Sequence, residues 1–352
     1  MRTTLLAVAV VFAAAATARA DGPTKGNPDV KSVSALAFGP NGLLFVGDPQ
    51  SATIFAIETG DTKPTGTQPL NIERADAKIA GAVGAMEKDI RINDVKVNPA
   101  SGNVYVALTR GAGAGEPAII RITRGASEIQ PVALKDVTFS SVKIPNPGKS
   151  QREPLGAITS MSFVDGKLIV AGLSTEEFAS TLRVIPFPFK DADKGAGIEI
   201  FHTSHNRVET ASPVRTFVPY KVGAETNIMA AYTCTPLVKI PVSELKPGAK
   251  VKGTTIAELG SGNQPLDMIV YTKDGKDYLL VTNTSRGVMK VPTAEFGSAP
   301  PLTTAVKGTA GVKYETIAEL KGVMQLDKLD NERAIILVKT DAGLDLKTIP
   351  LP

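Results

Sequence analysis

Two aspartates hold matching places in repeated phrases of the chain, Asp94 in RINDVKV and Asp267 in QPLDMIV. Each stands just ahead of a β-rich run, and other copies of the phrase carry Ser34, Ser160 and Gln325 at that point, with Asn93 and Thr159 adjacent. Two carboxylates among neutral donors and acceptors can hold a hard cation such as Ca²⁺ or move a proton as an acid/base pair. They can also be structural, accepting hydrogen bonds from backbone N–H groups between elements. All three readings remain open from residue types alone.

A second group is His202-Thr-Ser-His205 with Glu209, imidazoles and a carboxylate of the kind that bind Zn²⁺ or Cu²⁺. The single cysteine, Cys234 in YTCTP, could join the histidines from a neighbouring element as a soft thiolate ligand. Against this stand loop-bracing histidines and a thiol buried in a strand. Arg110 in LTRG and Arg286 in TSRG follow β-runs and could clamp an anionic ligand, or simply bridge neighbouring elements. GAGAGEP lacks the Lys-Ser/Thr of a phosphate-binding loop, no Ser/His/Asp order is persuasive, and CxxCH is absent.

The elements that position these residues repeat. SALAFGPNGLLFVGD followed by TIFAIE is the plainest copy, and five more begin near Ile92, Ile158, Phe217, Pro265 and Val323. A period of about 45 to 65 residues, each copy an antiparallel sheet too small to bury its own faces, predicts an all-β, six-bladed β-propeller. The first run of each copy suits an inner strand buried between neighbouring blades. Asn41-Gly42, Ser101-Gly102, Asp165-Gly166 and Asp274-Gly275 supply the tight turns. Copies four and six lack such a dipeptide and are the weakest. EIQPVAL, VTFSSVKI and IEIFHT are read as outer strands, and the stretch 29–32 is expected to pair beside the terminal LDLKTI and close the ring. The channel mouth then carries Ser34, Asn93, Asp94, Thr159, Ser160, Asp267 and Gln325, and consecutive blades in a ring would set Asp94 and Asp267 opposite one another.

In NIERADAKIAGAVGAMEKDI the spacing of Ile72, Ala75, Ile79, Val83 and Met86 predicts a short amphipathic helix capped by Asn71, inserted between blades one and two as a lid or a plug. The opening MRTTLLAVAVVFAAAATARA reads as a signal peptide, residues 1–20, leaving one propeller domain over 21–352. Export to the periplasm or beyond, after cleavage near Ala20, is therefore expected, with no membrane span and a monomeric product. Without Arg2 and Arg19 the formal charge of +4 falls to +2, and no basic stripe with interleaved aromatics suggests nucleic acid. One cysteine permits no intrachain disulfide.

LAFGPNGLLFVGD, INDVKVNPASGNVYVAL and QPLDMIVYTKDGKDYLLVTN resemble the six-bladed propellers of the NHL, strictosidine-synthase and gluconolactonase (regucalcin-like) group. EEFASTLRVIPFPF, SPVRTFVPY and AAYTCTPLVKIPV resemble a set of exported bacterial propeller proteins from which no activity follows. The first resemblance implies the architecture and, for its gluconolactonase-like members, a divalent cation at the channel mouth, with Asn93-Asp94 and Asp267 matching ligand positions. Ser34 stands where the group's first-blade Glu is expected. The absence of Trp removes the stacking residue of quinone-cofactor propellers. The expectation is an exported binding platform for a small molecule or protein. A Ca²⁺-dependent hydrolase or lactonase and a metal-handling or redox protein are the alternatives.

Overall fold

A computed structural model describes residues 18–113, 115–150 and 156–352, with the side chains of 18–21 excepted; most of the expected signal peptide lies outside the described residues. The described residues form six sheets of four to six strands, the six blades of a propeller, antiparallel except where Ala196–His202 runs parallel to Lys250–Lys252. The inner strands are Ala35–Phe38, Ile90–Val97, Ser160–Val164, Val214–Val222, Pro265–Lys273 and Val323–Lys328. Asn41, Asp165 and Asp274 adopt left-handed φ of 56°, 49° and 52° in their hairpins, followed by glycines that do the same. Blades four and six are complete, Gly223 providing the fourth hairpin's positive φ.

The blades do not follow one another round the axis in chain order. Inner-strand contacts run from blade two to one, three, four, five, six and back to two. Six apolar clusters fill the interfaces of that ring, one at each. Phe45 of blade one stacks on Phe163 of blade three with ring centroids 5.3 Å apart, while Phe38 of blade one meets Tyr105 of blade two edge-on at 5.0 Å. Blade one therefore lies between blades two and three. The cause is in the outer strands: Val137–Lys143, which follows blade two in sequence, returns to pair with Thr53–Glu58 of blade one before the chain sets off to blade three. The expectation that blades two and five face each other is thus corrected, because blade six separates them.

Ring closure also differs from the expectation for residues 29–32. The last strand, Gly343–Pro350, pairs instead with Asn71–Ile72, Ile72 opposite Leu346. Thr348 Oγ1 accepts from Leu70 N at 2.8 Å, and Asp345 Oδ1 accepts from Arg74 N at 2.9 Å. Strand pairing here takes Asn71 and Ile72 out of the expected helix, which spans only Ala75–Ala82 and has Arg74 in left-handed conformation at its N-cap. Ile79 and Val83 pack into the cluster between blades two and six, so the helix fills an interface, while Met86 is exposed. Among the described residues no helix is long and apolar enough to cross a membrane.

Candidate functional site

Four inner strands begin with a β-bulge, at Asn93, Arg215, Leu266 and Met324. An extra residue breaks the alternation of faces and redirects a side chain, a device common at rims and beside active sites. All four bulge residues line one cavity of about 480 Å³ at the mouth where the inner strands start. That volume lies within the range of small-molecule pockets, about 300 to 1,000 Å³. Ser34, Thr159, Ser160 and Gln325 stand on the same wall, with Ile90, Ile92, Leu337 and Leu344 supplying apolar surface. A second cavity, of about 400 Å³, opens from the other face. Lys96, Ser160, Thr216 and Asp267 line both and form the waist of the channel.

At the waist the carboxylates act as braces between blades. The residue after each of three bulges, or two further on, repeats one pattern: Oδ1 of Asp94, Asp267 and Asp327 accepts from the next backbone N–H at 2.9 Å. Their Oδ2 atoms reach the neighbouring blade, Asp94 to Leu36 N at 2.7 Å, Asp267 to Leu326 N at 3.3 Å and Asp327 to Val97 N at 2.7 Å. Lys96 lies among them, its Nζ 3.1 Å from Asp94 Oδ1 and 3.5 Å from Asp267 Oδ2. Burial pushes the Asp94 carboxyl up to about 6 against the pull of Lys96, and neighbouring Asp267 pushes the same way. Burial opposes the Lys96 charge, yet Asp267, Asp94 and Asp327 together hold its ammonium above the ordinary lysine range. Burial likewise raises Asp327.

Asp94 and Asp267 therefore do not fit a Ca²⁺ site. A cation bridging them would have to displace the Lys96 ammonium and compete with four backbone hydrogen bonds. Lys96 was legible in principle: in RINDVKV it is two residues past Asp94 and hence on the same strand face. Thr216 and Arg215 escaped because the fourth blade's start is obscured by SPVRTFV, which has no Asp or turn signal, and Asp327 because it lies two residues past Gln325, the mouth position of blade six. Thr216 Oγ1 stands 3.4 Å from Asp267 Oδ1.

The other mouth residues also span blades. Ser34 Oγ donates to Ile158 O at 3.0 Å, Thr159 Oγ1 to Val214 O at 2.7 Å and Gln325 Nε2 to Asn93 O at 2.8 Å. Asn93 Nδ2 donates to Val33 O at 2.8 Å, and its Oδ1 accepts from Arg91 Nε at 3.1 Å. Gln325 Oε1 is buried without a partner among the described residues. Arg110 and Arg286 are not part of this mouth. Arg110 is tied to Val83 O and Glu116, and Arg286 lies over Gly260 and reaches Ser261 O.

His202, His205 and Glu209 are brought together elsewhere, on the outer hairpin of blade three, His202 and Glu209 on its strands and His205 in its turn, with Cys234 in the loop after Glu225–Tyr232 of blade four. Glu209 accepts from Nδ1 of His202 at 2.8 Å and Nδ1 of His205 at 2.7 Å. Ser212 and Arg207 also donate to it, and these four partners hold its carboxyl down at about 2 although burial works the other way.

No protein-family model and no curated protein matches the chain. Among solved structures, it is similar to the PQQ-bound form of aldose sugar dehydrogenase from Streptomyces coelicolor, at 12% identity and TM-score 0.33 over 94% of this chain and 98% of that one. It is also similar to a candidate oxidoreductase (glucose dehydrogenase) from Thermus thermophilus, at 11% identity and TM-score 0.33 over 94% and 100%. Overlaps of this quality transfer neither cofactor nor activity.

Proposed function

We propose that this is an exported propeller that binds a small, partly apolar molecule bearing a carboxylate or similar anion in its channel-mouth cavity. The observation that carries the reading is the row of four bulges. They bring Asn93 of blade two and Arg215 of blade four, which face each other across the ring, and Leu266 and Met324 of blades five and six to the same 480 Å³ space. Among the described residues no carboxylate pairs with Arg215, so its planar fork is available to an anion. Gln325 Oε1, buried and unpartnered on the same wall, would accept a hydroxyl or amide hydrogen of the ligand. Leu266 and Met324 give it an apolar flank, and Met adapts to irregular shapes.

The waist carboxylates are engaged by Lys96 and backbone, which favours binding over hydrolysis. The test is a thermal-shift screen of small carboxylic acids, followed by calorimetry on hits. Binding should weaken by about 10- to 100-fold in Arg215→Ala, roughly the worth of one charge-assisted pair, with the melting temperature of the unliganded protein nearly unchanged. Hits that bind Arg215→Ala as tightly as the parent, or a protein partner that occupies the mouth in place of any small molecule, would overturn the proposal.

A further inference from the structure

We propose that His202, His205 and Cys234 form a transition-metal site, a thiolate and two imidazoles joining blade three to blade four and suited to Zn²⁺ or Cu⁺. One nitrogen of each ring and the Cys234 sulfur all lie within 4.8 Å of one another. Metal bonds of about 2.0 to 2.3 Å need ligand atoms about 3.3 to 3.8 Å apart, so shifts of about an ångström close the site.

The hydrogen bonds say which nitrogens are offered. The two oxygens of the Glu209 carboxylate each take one ring's Nδ1–H, which leaves each Nε2 with its lone pair. His202 is wholly buried and its Nε2 has no partner among the described residues. Burying such an acceptor without a partner costs about 1 to 3 kcal/mol, and the arrangement persists where something else satisfies it. A carboxylate behind a ligating imidazole fixes the ring's tautomer and orientation, which is the usual outer sphere of a metal-bound histidine. Here one carboxylate serves two rings, whose centroids are 3.9 Å apart.

The approach of Cys234 is built in too. Thr235, the next residue, has φ 148°, a conformation that L residues rarely adopt, so the turn is held against local preference. Thr255 Oγ1 of blade four donates to Phe201 O at 2.7 Å, and Thr203 donates to Glu258, pinning both sides of His202 to the blade that carries the thiol. His205 is 40% exposed, leaving an opening for a fourth, exchangeable ligand. Sulfur with imidazole selects zinc and copper over the hard cations. Binding converts the thiol to thiolate and releases its proton to solvent.

Co²⁺ reports such a ligand set optically. The untagged protein titrated with Co²⁺ should reach a single equivalent with an intense near-ultraviolet thiolate-to-metal band, displaced by one equivalent of Zn²⁺ or Cu⁺. Cys234→Ser should abolish the band. Glu209→Gln should weaken binding by about 10- to 100-fold while the band keeps its shape, as expected when the group behind the ligands is altered. Because substitutions around buried His202 could impair folding, the unsubstituted protein supplies an independent measurement. One equivalent of Zn²⁺ should slow the reaction of Cys234 with a disulfide reagent at least tenfold. Absence of the band, its persistence in Cys234→Ser, or a thiol equally reactive with and without Zn²⁺ would overturn the assignment.

Discussion

Lys96 and Asp267 belong to blades that are not neighbours, yet the ammonium nitrogen lies 3.5 Å from the Asp267 Oδ2. The pair crosses in front of blade six, whose own Asp327 adds to the negative potential that holds the lysine charged. Lys96 therefore works as a hub: its single charge pairs with carboxylates of two blades and is felt by that of a third, all of which also accept backbone N–H groups.

Replacing that hub should be costly. Lys96→Met removes the cation and leaves the carboxylates facing one another, and breaking a buried pair by deleting one partner destabilises by about 3 to 5 kcal/mol. Lys96 retains 20% side-chain exposure, so the lower end, about 3 kcal/mol at pH 7, is expected in urea unfolding. Parent-like stability in that variant would mean that the waist is held by packing and backbone pairing instead.

The waist should also make stability depend on pH in the unusual direction. Asp94 titrates at about 6 in the fold against an ordinary 3.8, so between those values the folded protein holds the proton more tightly than the unfolded chain does. Its contribution is therefore fully present below pH 3.8 and is lost as pH rises through about 6. Relative to Asp94→Asn, the parent should gain stability on acidification from pH 7 to pH 5, measured as the difference in unfolding free energy at the two values. Asp327, raised in the same direction by burial, should leave a residual slope of the same sign in the variant.

A third expectation concerns the joint between blades one and two. Buried Asp61 accepts from Ser101 Oγ at 2.8 Å, from Asn98 Nδ2, Asn103 Nδ2 and Tyr105 Oη each at 3.0 Å. Asp61→Ala strands several buried donors at once and should destabilise by about 3 kcal/mol or more, since each unsatisfied group costs about 1 to 3. Asn103→Ala, which also removes the acceptor of Thr65 and Arg124 N, should be damaging as well, whereas Ser101→Ala should be milder by calorimetric melting. Equal effects of all three would count against Asp61 as the centre of the network.

Much of this architecture was legible because each hairpin advertises itself. Asn41-Gly42, Asp165-Gly166 and Asp274-Gly275 are turn dipeptides with a positive-φ requirement, and the flanking runs are apolar enough to be strands. The order of blades was not legible, since every blade face is apolar and nothing local in VTFSSVK says that it will return to blade one. Ile72 shows the same limit: helical spacing with Ile79 and Val83 suggested one helix, but pairing opposite Leu346 won over local periodicity. At the mouth, Asp94, Asp267, Ser160 and Gln325 were found through repeat position. Arg215 was missed because a bulge, which is a matter of pairing, is what turns it toward the cavity. The proximity of Cys234 to His202 depends on which blades are adjacent, and blades three and four happen to be neighbours both in the chain and in the ring.

The backtracking of Val137–Lys143 has a consequence for how the protein comes into being. Blade one waits for its outer strand until blade two has been made, and Asn71–Ile72 is in place long before its partner Gly343–Pro350 exists. The early half of the chain is thus an open clasp with one arm already cut to shape, and the seam shuts only when Gly343–Pro350, about 270 residues further along the chain, pairs with Asn71–Ile72.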